Sequence, residues 1–157
     1  NLLKNLGRLK EAYNYYNQAL RLKPDFAEVS HILASLNGNT TKTAPKDYIE
    51  KLFDKYALNF EDSLVDKLGY NIHKVIANLI LQENKGASLG SVLDLGCGTG
   101  LAGLEVSASC EYLEGIDLSN SMLEEAKNKK VYDKLIHQDI VEYLSNANLN
   151  FNYYTYS

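Results

Sequence analysis

The chain has 157 residues, of which 45% are hydrophobic and 23% charged, and its formal net charge is −4. This length and balance fit one globular domain, or a small domain with an appendage, and no apolar run is long enough to cross a membrane. The acidic balance argues against a nucleic-acid partner, which needs clustered Lys and Arg, and two isolated cysteines, Cys97 and Cys110, favour the reducing cytoplasm.

Residues 1–38 have the spacing of paired helices. One helix is predicted to end near residue 23, and a second to span about residues 26–36. The first predicted helix has small and aromatic residues at helical spacing, with a turn glycine before it and a proline after it. These residues are Gly7, Ala12, Tyr16, Ala19 and Pro24. This spacing resembles the second half of a tetratricopeptide repeat, and a generic helical hairpin is the alternative. Because such units need stacked neighbours, we expect a longer array before residue 1 and a candidate surface for a protein partner.

Residues 39–90 are predicted to be a linker followed by a helical lid. A polar run at residues 39–43 precedes Pro45, which suits a first helical position. Helices are expected at about residues 45–56, 60–68 and 70–83, separated by turns near Asn59 and Gly69.

Residues 91–157 alternate between strands and helices. Strands are expected at about residues 92–95, 112–117, 135–138 and 151–156, and a capping box from Ser121 to Glu124 predicts the start of the second intervening helix. This order predicts an α/β fold, namely a Rossmann-like, doubly wound parallel sheet preceded by a helical region. We therefore predict three domains, at residues 1–38, 39–90 and 91–157.

A glycine-rich loop follows the first strand, at the edge where open α/β sheets bind ligands. The loop residues are Gly96, Cys97, Gly98, Thr99 and Gly100. A dinucleotide fingerprint, G-x-G-x-x-G, is the alternative. Counted from Gly96, its last position is Leu101; counted from Gly98, it fits but begins two residues after the strand ends. Asp94, just before the loop, would repel phosphates but could pair with a ligand ammonium group.

The run from Val92 to Gly100, VLDLGCGTG, closely resembles motif I of class I S-adenosylmethionine-dependent methyltransferases. The resemblance implies that S-adenosylmethionine is the cofactor. It also implies that Asp94 and the backbone of residues 96–100 face the methionine part of that cofactor.

Two further strand ends resemble cofactor contacts of the same family. Asp117, followed by Leu118, closes the second strand, where a carboxylate can accept both ribose hydroxyls. The resemblance assigns the ribose to Asp117, and the adenine to Asp139 with Ile140 flanking the ring. Asp139 could also cap the next helix, and the two roles are compatible. Met122 could pack against the adenine or in the core.

The segment from Phe53 to Glu61, FDKYALNFE, resembles the F-D-x-Y-A-x-x-F/Y-D stretch before the core of many small-molecule class I methyltransferases. In that family the aromatic helices form a lid over the cofactor, and an aromatic ring attracts a sulfonium cation. Tyr56 is the candidate for this contact, and core packing of an amphipathic helix is the alternative. Together with residues 1–38, the segment resembles bacterial repeat-containing methyltransferases.

The catalytic residues are not identified by the sequence, which shows neither a nucleophilic triad nor a metal-binding cluster. Strand four carries Asn152 where the family has Asp, and the chain stops at Ser157. We therefore expect a piece truncated at both ends that is poorly active and aggregation-prone on its own. The methyl acceptor stays open between a small molecule and a protein. A non-enzymatic cofactor-sensing or interaction module and a nicotinamide oxidoreductase are the alternative functions.

Overall fold

The structure, a computed structural model, describes residues 2–39, 41–146 and 149–156. Thr40 of the predicted linker and the terminal residues Asn1 and Ser157 of the predicted domains lie outside the described residues. The chain forms two compact units, Asn1–Ile49 and Glu50–Ser157. The domain division at residues 38 and 90 stays a prediction.

The first unit contains short helices: α1 (Leu2–Asn5), α2 (Leu9–Leu22) and α3 (Ala27–Leu36). α2 packs against α3. The buried residues of this pair are Ala12, Val29, Ile32 and Leu33. Gly38 has a φ of +72°, and the Asn39 N–H bonds the Ala34 carbonyl at 2.9 Å, which closes α3. Both predicted helices are confirmed, with bounds that differ by one residue.

Residues 46–83 are helical, but the helices are of three kinds. α4 (Lys46–Tyr56) continues into a 3-10 turn at Ala57–Asn59, a π-helix follows at Asp62–Lys67, and α5 spans Ile72–Glu83. The segment predicted as a helix at residues 60–68 is helical, but most of it is a π-helix, and apolar spacing alone does not separate α-helices from π-helices. Gly69, with a φ of +65°, ends the π-helix.

The second unit contains a four-stranded parallel sheet with the order β3-β2-β1-β4. The strands are β1 (Gly90–Leu95), β2 (Cys110–Asp117), β3 (Lys134–His137) and β4 (Tyr153–Tyr156), connected by α6 (Leu101–Val106), α7 (Asn120–Asn128) and α8 (Ile140–Asn146). This confirms the predicted α/β class and all four strands. β1 pairs with β2 on one side and β4 on the other, so the order reverses at β1. The glycine loop therefore begins at the switch point of the sheet.

The N-terminus of α7 differs from its prediction. Ser119 is the N-cap, and its Oγ accepts the Met122 N–H at 3.1 Å. The capping box that we predicted from Ser121 is therefore wrong, and α7 begins at Asn120. Serine suits an N-cap at either position, so local spacing does not decide between Ser119 and Ser121.

β4 begins two residues later than predicted, at Tyr153. Before it, Asn152 accepts the Ser91 N–H through Oδ1 at 2.9 Å and donates its own N–H to the Ser91 carbonyl at 2.8 Å. An Asp at position 152 could accept the same bond from Ser91. The departure from the family pattern at this position therefore leaves the contact with β1 unchanged.

The core of the second unit lies between the sheet and helices α5 and α6. Its buried cluster comprises Ala77, Leu89, Val92, Val106 and Leu113. Full burial of a Val or Leu side chain contributes about 1.5–3 kcal/mol. Leu93 and Asp94 have no exposed surface, so β1 is buried on both faces. The loop that follows β1 is thus anchored on a well-packed strand.

Candidate functional site

The loop between β1 and α6 is held in place by β2. The N–H groups of Gly96 and Cys97 both donate to the Ile116 carbonyl, at 2.8 and 2.9 Å. Gly96, Gly98 and Gly100 have φ angles of +72°, +53° and +85°, a region that favours glycine. A Cβ placed on Gly98 would meet no atom within 4 Å. The loop is therefore open at Gly98, where a ligand can approach the backbone.

Asp117 lies at the end of β2, beside this loop. Its Oδ2 accepts the Gly98 N–H at 2.8 Å, and its Oδ1 accepts the Ser119 N–H at 2.8 Å. Burial raises the pKa of the Asp117 carboxyl, although these N–H groups oppose the shift. Each carboxylate oxygen can accept a further bond, so Asp117 can hold two ligand hydroxyls while it stays attached to the loop. Leu118 is half-buried, and its carbonyl accepts a bond from His137 Nε2 at 2.8 Å.

Asp94 faces the interior and has no exposed surface. The Tyr132 hydroxyl donates to its Oδ2 at 2.6 Å, and the Thr155 hydroxyl donates to its Oδ1 at 2.8 Å. The Tyr132 ring occupies space that three glycines leave, since a Cβ on Gly100, Gly103 or Gly115 would collide with it. Burial raises the pKa of Asp94 and outweighs both hydrogen bonds. Asp94 thus joins β1 to β4 and to the segment after α7. We expected it to face the methionine part of the cofactor, but the structure buries it.

The other predicted contacts lie at three different places. Asp139 caps α8, because its Oδ1 accepts the Glu142 N–H at 3.0 Å, and this confirms the capping alternative. Ile140 is the half-buried first residue of α8. Met122 is 1% exposed and therefore belongs to the core. Tyr56, at the end of α4, is 50% exposed.

A narrow cleft of 70 Å³ separates the glycine loop from residues 60–73. Its lining residues are Phe60, Leu64, Tyr70, His73, Gly96, Cys97, Gly98, Thr99 and Leu101. The aromatic residues of the cleft are therefore Phe60 and Tyr70, and Tyr56 is not one of them. Burial raises the pKa of the Cys97 thiol far above its ordinary range, so this side chain is a poor nucleophile.

Polar contacts that we did not predict connect the helical segment to the two ends of α7. Asp54 Oδ1 accepts the Ser119 hydroxyl at 2.6 Å and the Ser121 N–H at 3.1 Å. The bond from Ser119 is the main cause that lowers the pKa of Asp54. Glu61 pairs with Lys129 at 2.5 Å. Asp54 and Glu61 are the two acidic residues of the FDKYALNFE stretch. Their position in this stretch could have indicated that they contact the domain that follows.

Within the described residues, no group of three or more His, Cys, Asp or Glu side chains could hold a metal ion. In the same part of the chain, no helix combines the length and the apolar character needed to cross a bilayer.

Residues 92–156 match the family model described as a methyltransferase domain. One curated relative, the 18S rRNA (guanine-N(7))-methyltransferase of Bos taurus, is 45% identical over 49 residues. The matched segment is 31% of this chain and 17% of the relative.

Solved structures share the fold over a longer part of the chain. The DhpI-SAM-HEP complex has a TM-score of 0.57 at 18% identity, over 74% of this chain and 52% of that chain. Magnesium protoporphyrin IX methyltransferase (ChlM) from Synechocystis PCC 6803 with bound SAM has a TM-score of 0.56 at 16% identity, over 74% of this chain and 64% of that chain. This chain thus spans less than two thirds of the length of each. Residues 92–156 thus match a methyltransferase-domain model, and the chain shares the fold of these solved methyltransferase structures.

Proposed function

We propose that the chain binds S-adenosylmethionine across the ends of β3, β2 and β1, as part of an enzyme that transfers the methyl group. The observation that carries this proposal is the junction of Asp117 with the glycine loop. There one carboxylate bonds the Gly98 N–H and still has capacity to accept ligand hydroxyls. The methyltransferase-domain match over residues 92–156 and the fold shared with SAM-bound ChlM support it.

The ligand would lie along the strand ends in the order in which the strands stand in the sheet. Asp139 and Ile140, after β3, would meet the adenine. Asp117 and Leu118, after β2, would meet the ribose. The backbone of residues 96–100, after β1, would meet the methionine part. Because β1 is central, this places the reacting end of the ligand at the switch point, in the cleft next to Phe60 and Tyr70.

The polar groups of the cleft fit such a ligand. His73 Nδ1 and Thr99 Oγ1 are buried, and neither has a hydrogen-bond partner among the described residues. The Thr99 hydroxyl is close enough to Glu61 to help lower the pKa of that carboxyl, but not in hydrogen-bonding geometry. Buried polar atoms are normally satisfied, so two unpaired atoms in one cleft indicate room for a polar ligand.

Bound S-adenosylmethionine supplies a methyl group that is already activated by its sulfonium sulfur. The chain's own residues therefore need only bind, orient and exclude water, and orientation alone can supply about 7–11 kcal/mol. Phe60 and Tyr70 line the cleft and are the aromatic residues best placed to face a cation. Tyr56 is half exposed and does not line the cleft. Its predicted contact with the sulfonium would therefore require a movement of α4.

The acceptor stays open between a small molecule and a protein. The proteins similar to this chain are named for an rRNA guanine and for magnesium protoporphyrin IX, which are unlike acceptors. The shared lengths, 17% and 64% of those proteins, are too short to transfer either acceptor to this chain.

Calorimetric titration of the protein with S-adenosylhomocysteine and with NADH tests the proposed cofactor. We expect saturable binding of S-adenosylhomocysteine and none of NADH, because the glycine pattern of a dinucleotide site fits only in a frame that does not directly follow the strand. Tight NADH binding without S-adenosylhomocysteine binding would instead support the oxidoreductase alternative.

We also propose that residues 2–38 are a tetratricopeptide-type unit that offers a surface to a protein partner. The support is the packing of α2 on α3 around the buried Ala12, and a groove of 430 Å³ beside the partly exposed Leu9, Tyr13 and Leu36. Recurrence of the Gly, Ala, aromatic and Pro spacing every 34 residues or so in the adjoining gene sequence would support this proposal, and its absence there would favour a simple hairpin.

We propose a cytoplasmic location, because the free thiols of Cys97 and Cys110 suit a reducing compartment. Fractionation of expressing cells, followed by immunodetection, tests this location.

A further inference from the structure

His73 is a buried polar side chain that the proposed cofactor contacts leave unused. It is the second residue of α5, and only 3% of it is exposed. Its Nδ1 has no hydrogen-bond partner among the described residues. An unpaired buried polar atom costs free energy, and a hydrogen bond from a bound partner would remove this cost.

The His73 ring is held in a defined position. Tyr70 stacks on it with ring centroids 5.5 Å apart and an interplanar angle of 23°. Tyr70 and His73 both line the cleft whose opposite wall is the glycine loop. The unpaired Thr99 hydroxyl belongs to that opposite wall. The two residues that carry unpaired atoms therefore lie on the two walls of one cleft.

The position of the cleft indicates which part of the ligand His73 meets. With adenine after β3 and ribose after β2, the part of the ligand that reaches the loop after β1 is the amino-acid end. That end carries a carboxylate and an ammonium group. His73 lies in the first turn of the twelve-residue α5, where the helix dipole favours negative charge. The nearby carboxylate of Glu61 is already paired with Lys129.

We propose that His73 is a ligand-positioning residue that donates a hydrogen bond from Nδ1 to the carboxylate of the methionyl group. This inference rests on the proposed function and adds a contact that none of the sequence motifs contains. The bond fixes the amino-acid end between α5 and the glycine loop, and so it orients the sulfur toward the acceptor.

Titration calorimetry on the full chain with two ligands tests the proposal. S-adenosylhomocysteine carries the amino-acid end, whereas 5′-methylthioadenosine has the same adenosyl thioether without it. Loss of a hydrogen bond to a charged group predicts that His73→Ala weakens S-adenosylhomocysteine binding by roughly 10- to 100-fold. The affinity for 5′-methylthioadenosine should change less than about twofold, since that ligand lacks the carboxylate.

His73→Asn is the matched control, because its amide N–H can occupy a place near Nδ1 and should restore part of the affinity for S-adenosylhomocysteine. Equal weakening of both ligands by His73→Ala would overturn the proposal, since it would indicate a general role in the cleft. Unchanged binding of both ligands would overturn it too. If the wild-type protein bound neither ligand, the proposed function itself would fail, and this result is distinct from both.

Discussion

Asp94 is a carboxylate without solvent contact, held by two hydroxyl groups. Because burial raises its pKa, the folded protein holds the proton more tightly than the unfolded chain does. Between about pH 4, the ordinary range of an Asp, and its raised folded pKa, unfolding therefore becomes easier as the pH rises. The Asp94 carboxyl group therefore contributes to the free energy of unfolding when it is protonated, and this contribution is lost as the pH rises through its folded pKa.

We predict that wild-type protein loses stability relative to Asp94→Asn as the pH rises from about 4 to 7. The Asn variant does not titrate, and contributions of other groups cancel in the difference. Urea denaturation of both proteins at several pH values measures this difference. A wild-type protein that gains stability relative to the variant over the same range would contradict the assigned burial of Asp94.

At the scale of elements, Asp54 connects α4 to the start of α7. It accepts the hydroxyl of Ser119, whose Oγ at the same time accepts the Met122 N–H and so caps α7. This chain of hydrogen bonds links the helical segment to the turn that follows Asp117. The position of the Asp117 carboxylate and the packing of α4 are therefore coupled through Ser119.

Replacement of Asp54 by Ala should lower the free energy of unfolding by about 1–2 kcal/mol, because a capping serine and a backbone N–H lose their acceptor. The pKa of Asp54 is lowered in the fold, so its contribution is present above the ordinary carboxyl pKa and is lost as the pH falls below about 4. Denaturant titrations at pH 7 and pH 3 measure both effects. Asp62→Ala removes an exposed acid from the same segment and should have little effect.

The elements also show how far the sequence could be interpreted. The four predicted strands are confirmed because each belongs to a short contiguous pattern. The cofactor roles of Asp117 and Asp139 rest on patterns of the same kind and stay predictions. The contacts of Asp54 with Ser119 and of Tyr132 with Asp94 join residues 65 and 38 positions apart, and no local spacing encodes them. The predicted start of α7 is wrong because Ser119 and Ser121 both suit an N-cap by residue type. His73 was missed because a histidine in an apolar helix carries no pattern of its own.

At the scale of the whole molecule, the two compact units should respond differently to a ligand. We predict that S-adenosylhomocysteine slows amide exchange in residues 96–100 and 117–119, because binding stabilises the conformation that holds the ligand. Residues 9–36 should exchange at unchanged rates. Hydrogen–deuterium exchange with mass spectrometry measures both segments in one experiment, and protection confined to residues 9–36 would contradict the proposed site.

Asp117 joins the glycine loop to the position proposed for the ribose. Its Oδ2 holds the Gly98 N–H and its Oδ1 holds the Ser119 N–H, so Asp117→Asn can keep one of these bonds and is the milder change. Asp117→Ala removes every acceptor for the ribose hydroxyls. Circular dichroism of both variants establishes that each is folded before binding is compared.

The most direct measurement is the Kd of S-adenosylhomocysteine for the wild-type protein and these two variants, by calorimetry under one set of conditions. We predict that Asp117→Ala weakens binding by roughly 10- to 100-fold, as expected for loss of hydrogen bonds to a charged acceptor, and that Asp117→Asn is intermediate. A folded Asp117→Ala protein that binds S-adenosylhomocysteine as tightly as the wild type would contradict the account.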